Sequence, residues 1–156
     1  MGLVISSFLS LDDVTVAIPV GTKEEVLAAL VDLLTSNHQE LDRELVLKTL
    51  LKRETLRSTA IEQGVAFPHG RIPGLNQLRA CFGRCLKGVD FASFDGKPTH
   101  FFFVLLIPED AQGEHLKALA RLNRLFMNKE LRNGLLGAVD AAAVFRMIIE
   151  KDNSTA

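Results

Sequence analysis

Thr99-His100-Phe101-Phe102-Phe103-Val104-Leu105-Leu106-Ile107-Pro108 carries seven consecutive apolar residues between a polar start and a proline stop. The run is far short of the roughly 18 residues that a membrane span requires. It is apolar on both faces of a strand, which fits a central strand covered by helices on its two sides. Upstream, Leu78 to Leu86 sets Leu78, Ala80, Phe82 and Leu86 against Arg79, Cys81, Gly83 and Cys85. Arg84 is the break in its apolar face, and Lys87-Gly88 ends the segment. Gly64 to Gly70 reads as a short strand closed by Pro68 and Gly70, and Val14 to Pro19 as a first, brief strand.

The remaining patterns have the helical period. Thr22 and Glu25 form a capping box ahead of Val26, Leu27, Leu30, Val31 and Leu34. The loop Ser36 to Glu40 ends that helix. Asp42 caps a second helix, with Leu45, Val46, Leu47, Leu50 and Leu51, that runs to about Glu54. After Pro108 a third helix is expected over Gly113 to Met127, with Leu116, Leu119, Leu122 and Phe126 at helical spacing. Asn128 caps a fourth through Leu136, and Asp140 a last one with Val144, Phe145 and Ile148 inward; the tail from Lys151 is expected to fray. The order is strand, two helices, three strands, three helices, with no repeat and no linker. It predicts one α/β (α+β) domain over residues 1–156, a three-layer helix-sheet-helix sandwich around a mixed sheet.

Composition narrows the function. The 156 residues are 47% hydrophobic and 24% charged, with 18 Lys and Arg against 19 Asp and Glu. That is globular usage without the basic surplus that phosphate-backbone binding needs, so nucleic acid is not an expected partner. Met1 to Ser10 has no Lys or Arg and fails as a signal peptide, and no run inserts into a membrane, so a cytoplasmic protein is expected. Cys81 and Cys85 share one face of a strand, too far apart along it for a disulfide, and read as buried, inert thiols.

Without Trp or Tyr, the natural candidates for chemistry near neutral pH are four histidines. His38, in a polar loop, and His100, at the edge of the Phe-rich strand, read as structural. His69 lies in Pro68-His69-Gly70, where Pro fixes the backbone and Gly allows another molecule to approach it, so its ring is presented rather than packed. Taken alone, the tripeptide also fits a turn histidine without chemistry. His115 shares a stripe with Leu119, Leu122 and Phe126 and fits a core histidine bonded to a carbonyl. It also stands at a helix N-terminus after the central strand, where an anion finds unpaired N–H groups. Arg53 fits an exposed residue favourable to the end of its helix. Together, two imidazoles, a guanidinium and a helix N-terminus describe a phosphoryl site. A neutral imidazole is a nucleophile toward phosphorus, and a guanidinium matches phosphate oxygens in a fork. A metal site on His69 and His115 lacks a third ligand at suitable spacing.

Arg53-Glu54-Thr55-Leu56-Arg57-Ser58-Thr59-Ala60-Ile61-Glu62-Gln63-Gly64-Val65-Ala66-Phe67-Pro68-His69-Gly70 resembles the signature of the fructose/mannitol-type IIA domains of the bacterial phosphoenolpyruvate-dependent phosphotransferase system. The nitrogen-regulatory branch is the nearest. The likeness extends from the Thr22 capping box to Ile107-Pro108 and Glu114-His115-Leu116. It implies a mixed sheet between helical layers, His69 as phosphoryl acceptor, His115 as its auxiliary neighbour, and Arg53, sixteen residues earlier, as stabiliser of the phosphoryl group. Thr59 and Gly70 are implied to line the same pocket. No metal or organic cofactor is implied. The implied partners are a phosphohistidine carrier protein of the HPr or NPr kind, and then either a IIB domain on the way to a sugar or a regulatory target such as a kinase or transporter. Ala60 and Glu62 stand where the family usually has glycine.

Overall fold

A computed structural model describes residues 3–19 and 21–154. The Phe-rich stretch forms β5 (Thr99–Pro108), and the sheet assembles about it. Along one edge β4 (Arg79–Val89) pairs antiparallel with β5, and β1 (Val14–Thr15) pairs parallel with β4. Along the other edge β2 (Val65–Ala66) and then β3 (His69–Ile72) run parallel to β5, which makes the sheet mixed.

The two faces of β5 follow residue parity, as the pleat requires. Phe101, Phe103, Leu105 and Ile107 join one core with α3 (Glu114–Phe126), α4 (Lys129–Gly137) and α5 (Ala141–Ser154). Phe102, Val104 and Leu106 join the other with α1 (Lys23–Asn37) and α2 (Arg43–Leu56). At the centre of the first core the Phe82 ring lies 6.3 Å from Phe101, 6.2 Å from Phe103 and 5.8 Å from Phe126. Each such ring, buried, stabilises the fold by about 1.5–3 kcal/mol relative to exposure. The three-layer architecture is therefore the one that β5 alone implies.

The starts of α1, α2, α4 and α5 follow their side-chain caps, whereas α3 starts after Gly113 without one. Thr22 Oγ1 accepts from Glu25 N at 3.2 Å while Glu25 Oε1 accepts from Thr22 N at 2.9 Å. Asp42, Asn128 and Asp140 accept from the N–H groups of Leu45, Leu131 and Ala143.

Several expectations need correction. The first strand covers Val14–Thr15 rather than reaching Pro19, and Val20 lies outside the described residues. The single strand expected over Gly64 to Gly70 is two, so Pro68-His69-Gly70 opens a strand instead of closing one. Phe67 N turns away from β5 to donate to Thr59 O at 3.1 Å, and Pro68 has no N–H to offer. Strand β4 continues past Leu86 to Val89 through a register shift, with Gly88 at φ +83°. Arg84, read as a break in an apolar face, is 5% exposed; its Nη1 donates at 2.7 Å to the carbonyls of Leu135 and Ala138, at the end of α4. Leu116 is 62% exposed rather than inward. The tail does not fray at Lys151: α5 continues to Ser154, and buried Asp152 accepts from Ile5 N at 2.9 Å and from Arg121 Nε at 2.5 Å. Residues 155 and 156 lie outside the described residues.

Cys81 and Cys85 are free and buried, and burial pushes the Cys81 thiol well above the ordinary range. His38 bonds through Nε2 to buried Asp13 at 2.7 Å, and His100 Nδ1 lies 3.1 Å from Cys85 O.

Candidate active site

His69 is the first residue of β3, in register with Leu105, and Gly70 is in register with Leu106. Gly70 has a packing role. A Cβ there would lie 2.8 Å from Thr49 Cγ2, so the bare backbone is what lets α2 approach β3. That approach carries the last turn of α2, with Arg53, to the neighbourhood of the His69 ring.

The ring itself has a defined polarity. Its Nδ1 lies 2.8 Å from the Phe67 carbonyl oxygen, which only accepts. Nδ1 therefore carries the proton, and Nε2 keeps its lone pair in the neutral ring. Phe67 is held in turn by an edge contact with Phe126, centroids 5.9 Å apart. Partial burial is the main influence on the ring and lowers its pKa below the ordinary 6.5, against the Phe67 carbonyl, which favours the charged form. Arg53 and, more weakly, His115 lower it further, while Glu54 acts the other way. A pKa below 6.5 makes the neutral ring the majority form at pH 7.

Arg53, Thr59 and His69 line one open cleft of about 650 Å³, together with Arg57, Glu62 and Phe94, with Leu119 and Asn123 of α3, and with Met127 just after it. Arg53 Nη1 donates to Arg57 O at 2.8 Å, which fixes the start of the loop after α2. Thr59 is buried in the cleft wall, and its hydroxyl donates to Glu54 Oε2 while its N–H donates to Oε1 at 3.1 Å. The same carboxylate accepts from Lys23 Nζ at 2.9 Å, and that ammonium stands 4.5 Å over the Phe91 ring. Sequence reading missed Glu54 and Lys23, which lie on different helices; no local spacing links them. It also missed Arg57 and Phe94, the latter 76% exposed at the cleft.

His115 is half-buried and does not line this cleft, although its charge reaches His69. Its Nδ1 is buried without a hydrogen-bond partner among the described residues. The N-terminus of α3 does not open on the cleft either. Gln112 and Glu114 line a separate cavity of about 470 Å³ with Phe8 and Leu78, and the Glu114 carboxylate already takes Gln112 N at 2.9 Å. Ala60 and Glu62, in place of glycines, impose no backbone strain, because the left-handed conformations fall on Gln63 and Gly64. Among the described residues, no group of three His, Cys, Asp or Glu could hold a metal ion.

The family model described as Phosphoenolpyruvate-dependent sugar phosphotransferase system, EIIA 2, matches residues 7–151. A nitrogen regulatory protein of Bradyrhizobium diazoefficiens is 42% identical over 103 residues, 66% of this chain and 67% of that protein. The PTS system fructose-specific EIIABC component of Bacillus subtilis is 36% identical over 130 residues, which cover 83% of this chain but 20% of that relative's length. The crystal structure of nitrogen regulatory protein IIA-Ntr from Neisseria meningitidis superposes with a TM-score of 0.85 at 36% identity, over 92% of this chain and 98% of that one. The chain belongs to the EIIA 2 family of the phosphoenolpyruvate-dependent sugar phosphotransferase system.

Proposed function

We propose that this chain, acting as one domain, is a phosphoryl carrier that accepts the group on Nε2 of His69 from a phosphohistidine carrier protein, and that its phosphorylation state is read by a regulatory target. The observation that supports this most is the bond from Nδ1 of His69 to the Phe67 carbonyl, which leaves Nε2 as the free nucleophile in a cleft that also holds Arg53. In the transfer, the Nε2 lone pair forms a P–N bond while the donor's P–N bond breaks and its electrons return to the donor imidazole. Positive charge develops on the His69 ring, and the Phe67 carbonyl accepts the Nδ1 proton's hydrogen bond more strongly as it does. The remaining N–H groups of Arg53 face the charge on the equatorial oxygens, the usual source of catalysis in phosphoryl transfer. His115 is the auxiliary imidazole, acting from outside the lining of the cleft. Thr59 shapes the wall, with its hydroxyl proton directed to Glu54.

The regulatory reading is supported by relatives named as nitrogen regulatory proteins. A sugar-specific role, with the group passing to a IIB domain, is supported by the fructose-specific relative. A cytoplasmic location goes with this proposed chemistry. No described helix is long and apolar enough to cross a membrane. Incubating the phosphorylated chain with IIB domains of its host separates the two roles. Retention of the phosphoryl group is the expected result, and rapid relay to one IIB domain would assign the chain to sugar uptake.

A further inference from the structure

Arg57 is the residue at which α2 ends, and its extended backbone (φ −172°, ψ 139°) turns the chain out of the helix and along the cleft. It is exposed and lines the same cleft as Arg53 and His69. Its carbonyl is taken by Arg53 Nη1, so its backbone is anchored. Its guanidinium, in contrast, meets no carboxylate, carbonyl or aromatic ring among the described residues. Among the described residues, the one carboxylate in the cleft lining is that of Glu62, and no ion pair joins the two.

The charge balance of the cleft gives this guanidinium a use. A phosphoryl group on His69 brings close to two negative charges. Lys23 is neutralised by Glu54 behind the wall, and Arg53 has already given one N–H to a backbone carbonyl. Arg53 alone is thus one partly occupied cation for a dianion. A second fork at the mouth can meet the oxygens that Arg53 does not reach.

We propose that Arg57 is a second phosphoryl-binding residue, whose guanidinium closes on the oxygens of phospho-His69 from the mouth of the cleft and shares their charge with Arg53. This rests on His69 being the acceptor. The charges acting on the resting ring are those of Arg53, Glu54 and His115, whereas Arg57 acts once the phosphoryl group is present.

The test compares the native chain with Arg57→Gln, Arg57→Lys and His69→Ala, using two donors: a phosphorylated carrier protein, and phosphoramidate, which has no protein surface. Because Arg57 is exposed, both of its variants should fold. Arg57→Gln is expected to accept phosphate from both donors about three- to thirtyfold more slowly, the range for one charge-assisted hydrogen bond partly screened by water. Arg57→Lys should recover part of that loss. In the phosphorylated protein, the ³¹P titration midpoint of the phosphoryl group should rise in Arg57→Gln, since a cation that favoured the dianion is gone. An unchanged phosphoramidate rate with an unchanged ³¹P titration would overturn the proposal. If the carrier protein alone then reacted more slowly, Arg57 would be a contact for the carrier's surface. Failure of the native chain to label at His69 with either donor would remove the acceptor itself, and is distinguished by appearing in the native protein rather than in the Arg57 variants.

Discussion

Nδ1 of His69 and the carbonyl oxygen of Phe67 stand 2.8 Å apart across a single intervening proline. The contact holds the ring in one tautomer, and the proline rigidifies the backbone between the two groups. Phosphorylation is therefore expected at Nε2, not at Nδ1. Phosphorus-coupled ¹⁵N spectra of the phosphorylated protein distinguish the two positions, and coupling to Nδ1 would mean that the Phe67 bond is broken in the product.

The His69 ring should titrate below the ordinary histidine value of 6.5, because burial and then the Arg53 charge disfavour the imidazolium against the pull of the Phe67 carbonyl. A neutral ring is the nucleophile, so the rate of phosphoryl acceptance should hold through neutral pH and fall only as acid protonates the ring, below that value. Arg53→Ala removes a cation, so it should move the titration midpoint of the ring upward and slow transfer. Arg53→Lys keeps the charge but loses the fork, and should still raise the transfer barrier by about 1–3 kcal/mol. NMR titration of the ring together with transfer rates checks both halves. A midpoint that moves down in Arg53→Ala would contradict the assigned electrostatics.

Glu54 should matter for stability more than its place beside Arg53 implies. Glu54→Ala leaves the buried N–H and hydroxyl of Thr59 without their acceptor and Lys23 without its partner. A loss of about 2–4 kcal/mol is expected, from unsatisfied buried donors and a broken, largely buried ion pair. Urea denaturation measures it, and a change under about 0.5 kcal/mol would show that the loop holds its shape without the carboxylate.

Gly70→Ala should destabilise by about 1–3 kcal/mol through overpacking against α2. The offending atom is Thr49 Cγ2, 2.8 Å from the new Cβ, so Thr49→Ser should recover most of the loss when the two substitutions are combined. A double-mutant cycle on unfolding free energies reads the coupling. Simple additivity would contradict the packing role.

The features legible in the sequence are those fixed by near neighbours. Parity along Phe101 to Ile107 contained the two-sided sheet, and Thr22, Asp42, Asn128 and Asp140 marked helix starts because a cap bonds three residues ahead. What escaped reading depends on partners far along the chain. Arg84 is buried because carbonyls of Leu135 and Ala138 receive it, and the tail stays helical because Ile5 and Arg121 hold Asp152. In the cleft the motif located His69, Arg53 and Thr59, but nothing local tied Lys23 to Glu54 or placed Arg57 on the wall. Gly70 looked like an opening for a ligand, and nothing local showed that α2 packs against it.

Transfer from a phosphorylated carrier protein, followed by peptide mapping under alkaline conditions, tests the assignment of His69 most directly. The native chain is expected to take up a single acid-labile phosphoryl group, located on His69, and His69→Ala is expected to take up none while keeping its fold. His115→Ala should still become labelled, only more slowly. Intact labelling of His69→Ala, or a phosphoryl group found on His115 in the native protein, would contradict it.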